Sequence, residues 1–197
     1  MRTDAGSRAV EGKATAGGRP PVAMTGVSAS MMCADWLHLE DDVRALEALG
    51  VEYLHYDVMD GTFVPNYTMG FDIPRAIQNV SKVPSDFHLM IVEPERYLDR
   101  IPLRPGDAVT LHIEATKAPG EAMARLHARG ARAGLAISPD TPLSVLEPHL
   151  GALDLVLLLT VRPGFAGQKL VEGTIGKLAE ARRLIDREAP SVSLSVD

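Results

Sequence analysis

Short runs of apolar residues recur along most of the chain, and longer segments with helical patterns separate most of them. The runs lie near residues 22–29, 52–57, 85–89, 108–112, 132–137, 155–159 and 192–196. Runs of this length are typical of β-strands. Strands that alternate with helices predict a parallel sheet that is wrapped by helices.

Three of the intervening segments have clear helix signals. Residues 35–49 carry one apolar stripe and are followed by Gly50, a common stop residue. Residues 141–151 open with Pro142 near the first helical position, where proline is tolerated. A third helix is expected from about residue 174 to 188, in a segment rich in Ala, Leu, Lys and Arg.

Seven units at this spacing predict a (β/α)8 TIM-type barrel and not an open sheet. No eighth strand is visible, so we expect the barrel to be truncated after the seventh strand. Residues 22–197 would then form a barrel domain that lacks its last β/α unit, with two unpaired sheet edges. Residues 1–21 show no periodicity and are expected to form a disordered N-terminal tail.

Composition excludes several classes of protein. At 197 residues and 46% hydrophobic content the chain fits one globular domain, and its net charge of −6 argues against nucleic acid or an anionic membrane as the main partner. No apolar run approaches the length of a membrane span. The single cysteine, Cys33, excludes an intramolecular disulfide and fits a reducing compartment, so we expect a cytoplasmic protein. Cys33 has no nearby His or Cys in the sequence and is expected to be buried filler.

Polar side chains share one face of the predicted second strand. Side chains alternate along a strand, which places His55, Asp57 and Met59 together. The run then breaks at Asp60-Gly61, a dipeptide that turns easily. These polar residues therefore lie at the carboxyl end of a strand, where α/β folds place their chemistry.

Two other predicted strands end in similar residues. His88 and Met90 share one face at the end of the third strand, and Asp197 follows the alternating seventh. In a barrel these side chains would point inward and meet His55 and Asp57. Two imidazoles and two carboxylates suit one divalent cation, Zn²⁺ or Fe²⁺ first and Mn²⁺ or Co²⁺ as alternatives. Taken singly, each histidine would more often be an ordinary hydrogen-bonded residue, and it is the joint pattern that favours a metal site.

A glycine-rich turn follows the predicted sixth strand. It reads Pro-Gly-Phe-Ala-Gly-Gln over residues 163–168. Turns of this kind expose backbone N–H groups that can approach an anion such as a phosphate. The turn alone is weak evidence for such a site.

The stretch from His55 to Asn66, His-x-Asp-Val-Met-Asp-Gly-x-Phe-Val-Pro-Asn, resembles the signature of the ribulose-phosphate 3-epimerases and of the related allulose-6-phosphate 3-epimerases. The resemblance extends from about residue 27 to 197. It implies a barrel isomerase that inverts C3 of a phosphorylated ketose. The expected reaction converts D-ribulose 5-phosphate to D-xylulose 5-phosphate in the pentose phosphate pathway, and D-allulose 6-phosphate is the alternative substrate.

Inversion of a carbon beside a carbonyl requires two acid/base groups on opposite sides of a flat intermediate, and a cation can stabilise the enediolate. The resemblance implies that Asp57 and Asp197 transfer the protons through a metal-stabilised 2,3-enediolate. It also implies that the metal ligands are His55, Asp57, His88 and Asp197.

The resemblance further implies a set of substrate-binding residues: Ser30, Met59, His88, Met90, Gly164, Phe165, Ala166 and Gly167. Simple core packing remains an alternative for the two methionines. His112 either lines the pocket or is an ordinary hydrogen-bonded histidine. The chain departs from the family pattern at Ala29, where proline is usual, and at Leu159, where a third methionine is usual.

Two other functions stay open at this point. One is a metal-assisted aldolase or phosphosugar lyase, although no lysine lies at a predicted strand end. The other is an inactive barrel fragment that associates through its open edges. Family members form dimers or larger rings, so a homo-oligomer is expected. Family members also start just before the first strand, which makes Met24 an alternative start residue.

Overall fold

The computed structural model describes residues 26–197. It contains seven β-strands: β1 (Ser28–Ser30), β2 (Tyr53–Met59), β3 (Ser85–Met90), β4 (Ala108–His112), β5 (Arg132–Ile137), β6 (Leu155–Leu158) and β7 (Ser193–Val196). All of them lie in one sheet, in sequence order, and each pairs in parallel with the next. This arrangement confirms the predicted parallel sheet.

Four α-helices lie between the strands: α1 (Leu39–Leu49), α2 (Asp72–Gln78), α3 (Pro119–Ala128) and α4 (Thr174–Glu188). The remaining connections include short 3₁₀ helices, among them Leu143–Val145 and Glu147–Ala152. Helix α4 has the predicted bounds. Helix α1 ends at Leu49 as predicted, because Gly50 adopts φ +75° in the left-handed region that favours glycine.

The sheet is curled into part of a barrel. The Arg132 guanidinium on β5 donates to the Tyr53 hydroxyl of β2 at 3.4 Å and to the Ser193 hydroxyl of β7 at 3.1 Å. Contacts between strands this far apart in the sheet order require curvature. The fold is therefore that of a (β/α)8 TIM-type barrel, represented by seven strands, and within residues 26–197 no strand joins β7 to β1.

The two faces of the sheet differ in composition. Outward-facing residues of the strands, such as Phe87, Leu89 and Leu111, are completely buried against the helices in the main hydrophobic core. Inward-facing positions carry most of the polar side chains, including His55, Asp57 and others described below. The predicted division of apolar and polar faces is thus confirmed.

Some predicted boundaries are wrong. Residues 141–151 do not form an α-helix, because Pro148 lacks an N–H donor and its ring is incompatible with a continuous helix, so two 3₁₀ segments replace it. Helix α1 starts at Leu39 and not at residue 35, because the Asp35 carboxylate accepts the Leu37 N–H and holds a turn there.

At the N-terminal side, β1 (Ser28–Ser30) overlaps the strand expected over residues 22–29 at Ser28 and Ala29 and ends one residue later than expected. The expected disordered tail, residues 1–21, lies outside the described residues, as do residues 22–25. Among the helices of residues 26–197, none is long and apolar enough to cross a membrane.

Candidate metal centre and active site

The register of β2 and β3 places the polar side chains of the two strands directly opposite one another. His55 pairs with Asp86, Asp57 with His88, and Met59 with Met90. Because side chains of paired residues in neighbouring strands point the same way, all six lie on the inner face of the sheet. The carboxyl-terminal end of this face is where the site forms.

Asp57 is the centre of the buried part of the site. Its Oδ1 lies 3.2 Å from His55 Nε2 and 3.0 Å from His88 Nδ1, and its Oδ2 accepts a hydrogen bond from the Ser30 hydroxyl at 3.0 Å. Asp57 is only 4% exposed. Burial alone would raise the pKa of the Asp57 carboxyl, but the hydrogen bonds and charges of the two histidines hold that pKa well below its usual range.

His55 is held from its other side by a second carboxylate. Asp86 Oδ2 lies 2.8 Å from His55 Nδ1 and also accepts the Ser28 hydroxyl at 2.8 Å. Burial would lower the pKa of His55, yet Asp86 and Asp57 together raise it well above 6.5. Burial alone would raise the pKa of Asp86, but the contact with His55 in turn lowers that pKa. Asp86 was not singled out from the sequence, although its place two residues before His88 is the signal that could have revealed it.

Asp197 approaches the cluster from β7. Its Oδ2 lies 3.7 Å from His88 Nδ1, and its side chain is 43% exposed. The backbone of Asp197 is fixed to β6 by the bond from its N–H to the Leu158 carbonyl and by the Thr160 hydroxyl, which donates to its backbone oxygen at 2.8 Å. One carboxylate of the site is therefore buried and the other is accessible.

The four residues predicted as metal ligands come together. His55, Asp57, His88 and Asp197 each offer one ligand atom, and these atoms all lie within 4.8 Å of one another. The donor set of two imidazole nitrogens and two carboxylate oxygens suits Zn²⁺ or a similar borderline cation. The opposite nitrogens of both imidazoles are also hydrogen-bonded, as is usual for metal-bound histidines. On these grounds the residues fit a divalent cation.

A cleft of about 240 Å³ opens beside this cluster. Both Asp57 and Asp197 line it, so an occupant can contact the two carboxylates together. All but one of the predicted substrate-binding residues line it too: Ser30, Met59, Met90, Gly164, Phe165, Ala166 and Gly167. The exception is His88, which is completely buried, and its position favours the metal role over a substrate contact.

Apolar side chains form the base of the cleft. Met59 and Met90 pack together with Val64, and Leu159 lies nearby on the lining. Both methionines are at most 4% exposed, so they belong to the packing and to the cleft wall at once. The expectation for Cys33 is wrong, because this thiol is exposed and also lines the cleft. It lies at the end of the 3₁₀ turn Met31–Cys33, in which only Met31 is buried.

The glycine-rich turn forms the opposite wall. Gly164 has φ +125° and Gly167 has φ +73°, and Asn66 Nδ2 donates to the Gly164 carbonyl at 2.7 Å. Among residues 26–197, no partner accepts a hydrogen bond from the backbone N–H groups of residues 164–167. These free donors beside the cleft are the kind of group that binds an anion.

His112 lies behind His88. Its Nε2 is 2.9 Å from His88 Nε2, and its Nδ1 is 3.1 Å from Glu114 Oε2. Burial lowers the pKa of His112 to about 4. Burial would raise the pKa of Glu114, but hydrogen bonds from His112, Thr141 and Ser138 outweigh it and lower that pKa to about 2. His112 therefore does not line the cleft directly. The sequence did not indicate Glu114, and its position two residues after His112 is a weak signal.

Comparison with known proteins identifies relatives over the whole described region. A family model described as "Ribulose-phosphate 3 epimerase family" matches residues 26–197. The ribulose-phosphate 3-epimerase of Bacillus subtilis is 38% identical over 165 residues, which cover 84% of this chain and 76% of the relative. That of Synechocystis is 35% identical over 173 residues, covering 87% and 75%. The chloroplastic ribulose-5-phosphate-3-epimerase of Arabidopsis thaliana is 37% identical, covering 87% and 62%.

Proposed function

Because this chain belongs to the ribulose-phosphate 3-epimerase family, we propose that it is a metal-dependent epimerase that interconverts D-ribulose 5-phosphate and D-xylulose 5-phosphate. The observation that carries the proposal is the meeting of His55, Asp57, His88 and Asp197 at a cleft. A bound divalent cation would supply positive charge to stabilise the substrate oxygens when the C3 proton leaves.

Asp57 and Asp197 are the proposed proton-transfer groups. In one direction Asp57 removes the C3 proton from one face of the sugar, and protonated Asp197 returns a proton to the other face; in the reverse direction the two exchange roles. Ser30, which donates to Asp57 Oδ2, orients the buried carboxylate. Their placement on β2 and after β7, with both lining the cleft, supports transfer from two sides.

The cleft walls have complementary proposed roles. Met59, Met90 and Leu159 offer no acidic proton and exclude water from the reacting carbon. The free N–H groups of residues 164–167 bind the substrate phosphate. This division explains why one wall is apolar and buried while residues 165–167 of the other wall are exposed.

The test is exchange of the C3 proton with solvent. The 197-residue chain, loaded with Zn²⁺ or Fe²⁺ in ²H₂O, should incorporate deuterium at C3 of ribulose 5-phosphate and form xylulose 5-phosphate, as followed by NMR. Treatment with EDTA should abolish both signals, and re-addition of the metal should restore them. Cleavage of a carbon–carbon bond in place of exchange would indicate the aldolase alternative and overturn the proposal.

A second substrate is favoured by one residue of the turn. Ala166 occupies a position where allulose-6-phosphate epimerases tend to have alanine and the pentose-phosphate enzymes glycine. The relatives compared above are named for ribulose phosphate, which supports the pentose. Comparing kcat/KM for the two ketose phosphates on the same preparation decides between them.

The proposed cytoplasmic location and homo-oligomeric state remain predictions. Analytical ultracentrifugation of the 197-residue chain tests the second. A compact, metal-binding species would count against the inactive-fragment alternative, whereas aggregates would favour it.

A further inference from the structure

A chain of hydrogen-bonding side chains runs from the metal centre to a loop on the far side of β4. It passes from His88 Nε2 to His112 Nε2 over 2.9 Å and from His112 Nδ1 to Glu114 Oε2 over 3.1 Å. The two histidines are completely buried, and their rings stack with centroids 5.0 Å apart. The Phe63 ring packs on His112 from another side, with centroids 4.8 Å apart.

The proton positions along this chain follow from its two ends. Two imidazole nitrogens that face each other at hydrogen-bond distance need one proton between them. An ionised carboxylate only accepts hydrogen bonds, so His112 must carry its proton on Nδ1, toward Glu114. A neutral His112 then has a lone pair on Nε2, and His88 must donate from its own Nε2.

We propose that Glu114 is a positioning residue that, through His112, holds a proton on His88 Nε2, so that Nδ1, which otherwise donates to the Asp57 carboxylate, is the nitrogen that would bind the cation. The inference rests on the proposed function, because it assumes that His88 is a metal ligand. His88 Nδ1 is the nitrogen that faces Asp57 and Asp197, so the tautomer with the proton on Nε2 is the one that the metal site requires.

Glu114 is fixed by contacts that do not involve the histidines. Its Oε1 accepts the Ser138 N–H at 2.8 Å and also the Thr141 hydroxyl. Lys177, whose amine donates to the Ser138 and Pro139 carbonyls at 2.8 and 2.9 Å, holds the same loop. The two donors from this loop, the Ser138 N–H and the Thr141 hydroxyl, therefore hold Oε1 of Glu114 in place, and Oε2 is left directed toward His112.

These contacts determine what the substitution Glu114→Gln would do. The Ser138 N–H requires the single amide oxygen at the Oε1 position, which turns the amide NH₂ toward His112 Nδ1. His112 must then accept on Nδ1 and carry its proton on Nε2, where it faces His88 Nε2. His88 Nε2 must then accept that proton, so a neutral His88 can carry its own proton only on Nδ1, and the ligand atom is lost.

Glu95 provides a matched control. Its Oε1, like that of Glu114, accepts a threonine hydroxyl and a backbone N–H, from Thr116 and from Lys117 at 2.7 Å. No histidine appears among the hydrogen-bond partners of the Glu95 carboxylate in the described region. Glu95→Gln therefore reproduces the local structural cost without affecting the histidine chain.

The experiment has two readouts besides activity. Long-range ¹H–¹⁵N NMR of the EDTA-treated chain, with His112 assigned by the loss of its signal in His112→Gln, should show the proton on Nδ1 in the native chain and on Nε2 in Glu114→Gln. Titration with Co²⁺, followed by visible absorption, should show about 10- to 100-fold weaker binding for Glu114→Gln and no change for Glu95→Gln.

Several results would overturn the assignment: a native His112 with its proton on Nε2, a Glu114→Gln affinity within twofold of native, or an equal loss in Glu95→Gln. The native tautomer is informative even if Glu114→Gln does not fold. A native chain that binds no Co²⁺ would overturn the proposed function, whereas the tautomer of His112 would still support or overturn the role of Glu114.

Discussion

On one side of the cleft, β2, β3 and β4 contribute Asp57, His88 and His112, which are at most 4% exposed and linked to one another by hydrogen bonds. On the other side, β7 and the turn after β6 contribute Asp197 and Phe165, whose exposed fractions are 43% and 51%. The buried side has its geometry set before anything binds. The open side has free donors and room for a ligand. We infer that the first side supplies three of the four proposed cation ligands, His55, Asp57 and His88, and that the second side receives the substrate.

This comparison also distinguishes the two proposed acid/base residues. Asp57 makes contacts at 3.0–3.2 Å with three partners, whereas Asp197 approaches only His88, at 3.7 Å, among the charged groups of the described residues. Buried ion pairs are costly to break and exposed ones contribute little. The two aspartates should therefore be alike in catalysis and unlike in stability.

Replacing Asp57 or Asp197 with asparagine should have the largest effect. Each variant should lower C3 exchange by about 10²- to 10⁴-fold, because each removes a proton-transfer group. Asp57→Asn should also lower the free energy of unfolding by about 3 kcal/mol, whereas Asp197→Asn should change it by less than about 1 kcal/mol. Exchange assays and urea denaturation measure the two quantities.

Asp99→Asn is the control for this pair, since Asp99 is exposed and its one ion pair within residues 26–197 is with Arg125 on the surface. It should match the native chain in both measurements. Equal stability losses in the two site variants would contradict the distinction between the buried and the open side.

The second prediction concerns pH and the buried side alone. His112 keeps its neutral form when folded, with a pKa lowered from 6.5 to about 4 by burial. The unfolded chain takes up this proton first as the pH falls, so folding loses stability between pH 6.5 and pH 4. The loss should reach about 3 kcal/mol.

The variant His112→Gln isolates this contribution, because glutamine does not titrate. Urea denaturation of both EDTA-treated chains at pH 7 and pH 4 gives the difference. His55, whose raised pKa acts in the opposite direction above pH 6.5, is present in both chains and cancels. A difference between the two chains that does not change with pH would show that His112 does not stay neutral in the folded state.

The third prediction concerns the open side. Gly164→Ala places a side chain at φ +125° and puts its Cβ 3.3 Å from Val64 Cβ, so the turn must move. A cost of about 1–2 kcal/mol should appear as a roughly tenfold higher KM for the phosphorylated substrate, with kcat little changed. Steady-state kinetics separate the two parameters.

Gly167→Ala is the milder companion variant, because its φ is +73° and a Cβ there would meet nothing within 4 Å. Its KM should rise by no more than about threefold to fivefold. If Gly164→Ala lowered kcat and left KM unchanged, the turn would act in catalysis and not in phosphate binding.

The smallest effect is expected at the base of the cleft. Leu159 is 1% exposed and lies where family members usually have methionine. Leu159→Met nearly conserves volume, so it should cost less than about 1.5 kcal/mol in stability and change kcat/KM by less than about threefold. A tenfold gain in kcat/KM would instead show that the thioether contributes to the reaction.

Much of the fold could be predicted from local patterns. Alternation along the strands correctly assigned inward and outward faces, and α4 was predicted at its observed bounds. The stop of α1 at Gly50 followed from the conformational freedom of glycine. These features depend on residues within a few positions of one another, which is why the sequence contains them. An α-helix was wrongly predicted over residues 141–151, where Pro148 interrupts it. The start of α1 was placed too early, at residue 35, because the Asp35 side chain holds a turn there.

The amino-acid sequence by itself determined the strand order, the inner-face positions of His55, Asp57 and His88, and a family resemblance that named a reaction. The tertiary structure decided which atoms meet. The β2–β3 register sets Asp57 against His88 and His55 against Asp86, and the curl of the sheet brings Asp197 from β7 to β3. It also connects Glu114 to the site through His112 and leaves Cys33 exposed. Register and curvature depend on packing across the whole barrel, so no local pattern in the sequence specifies them.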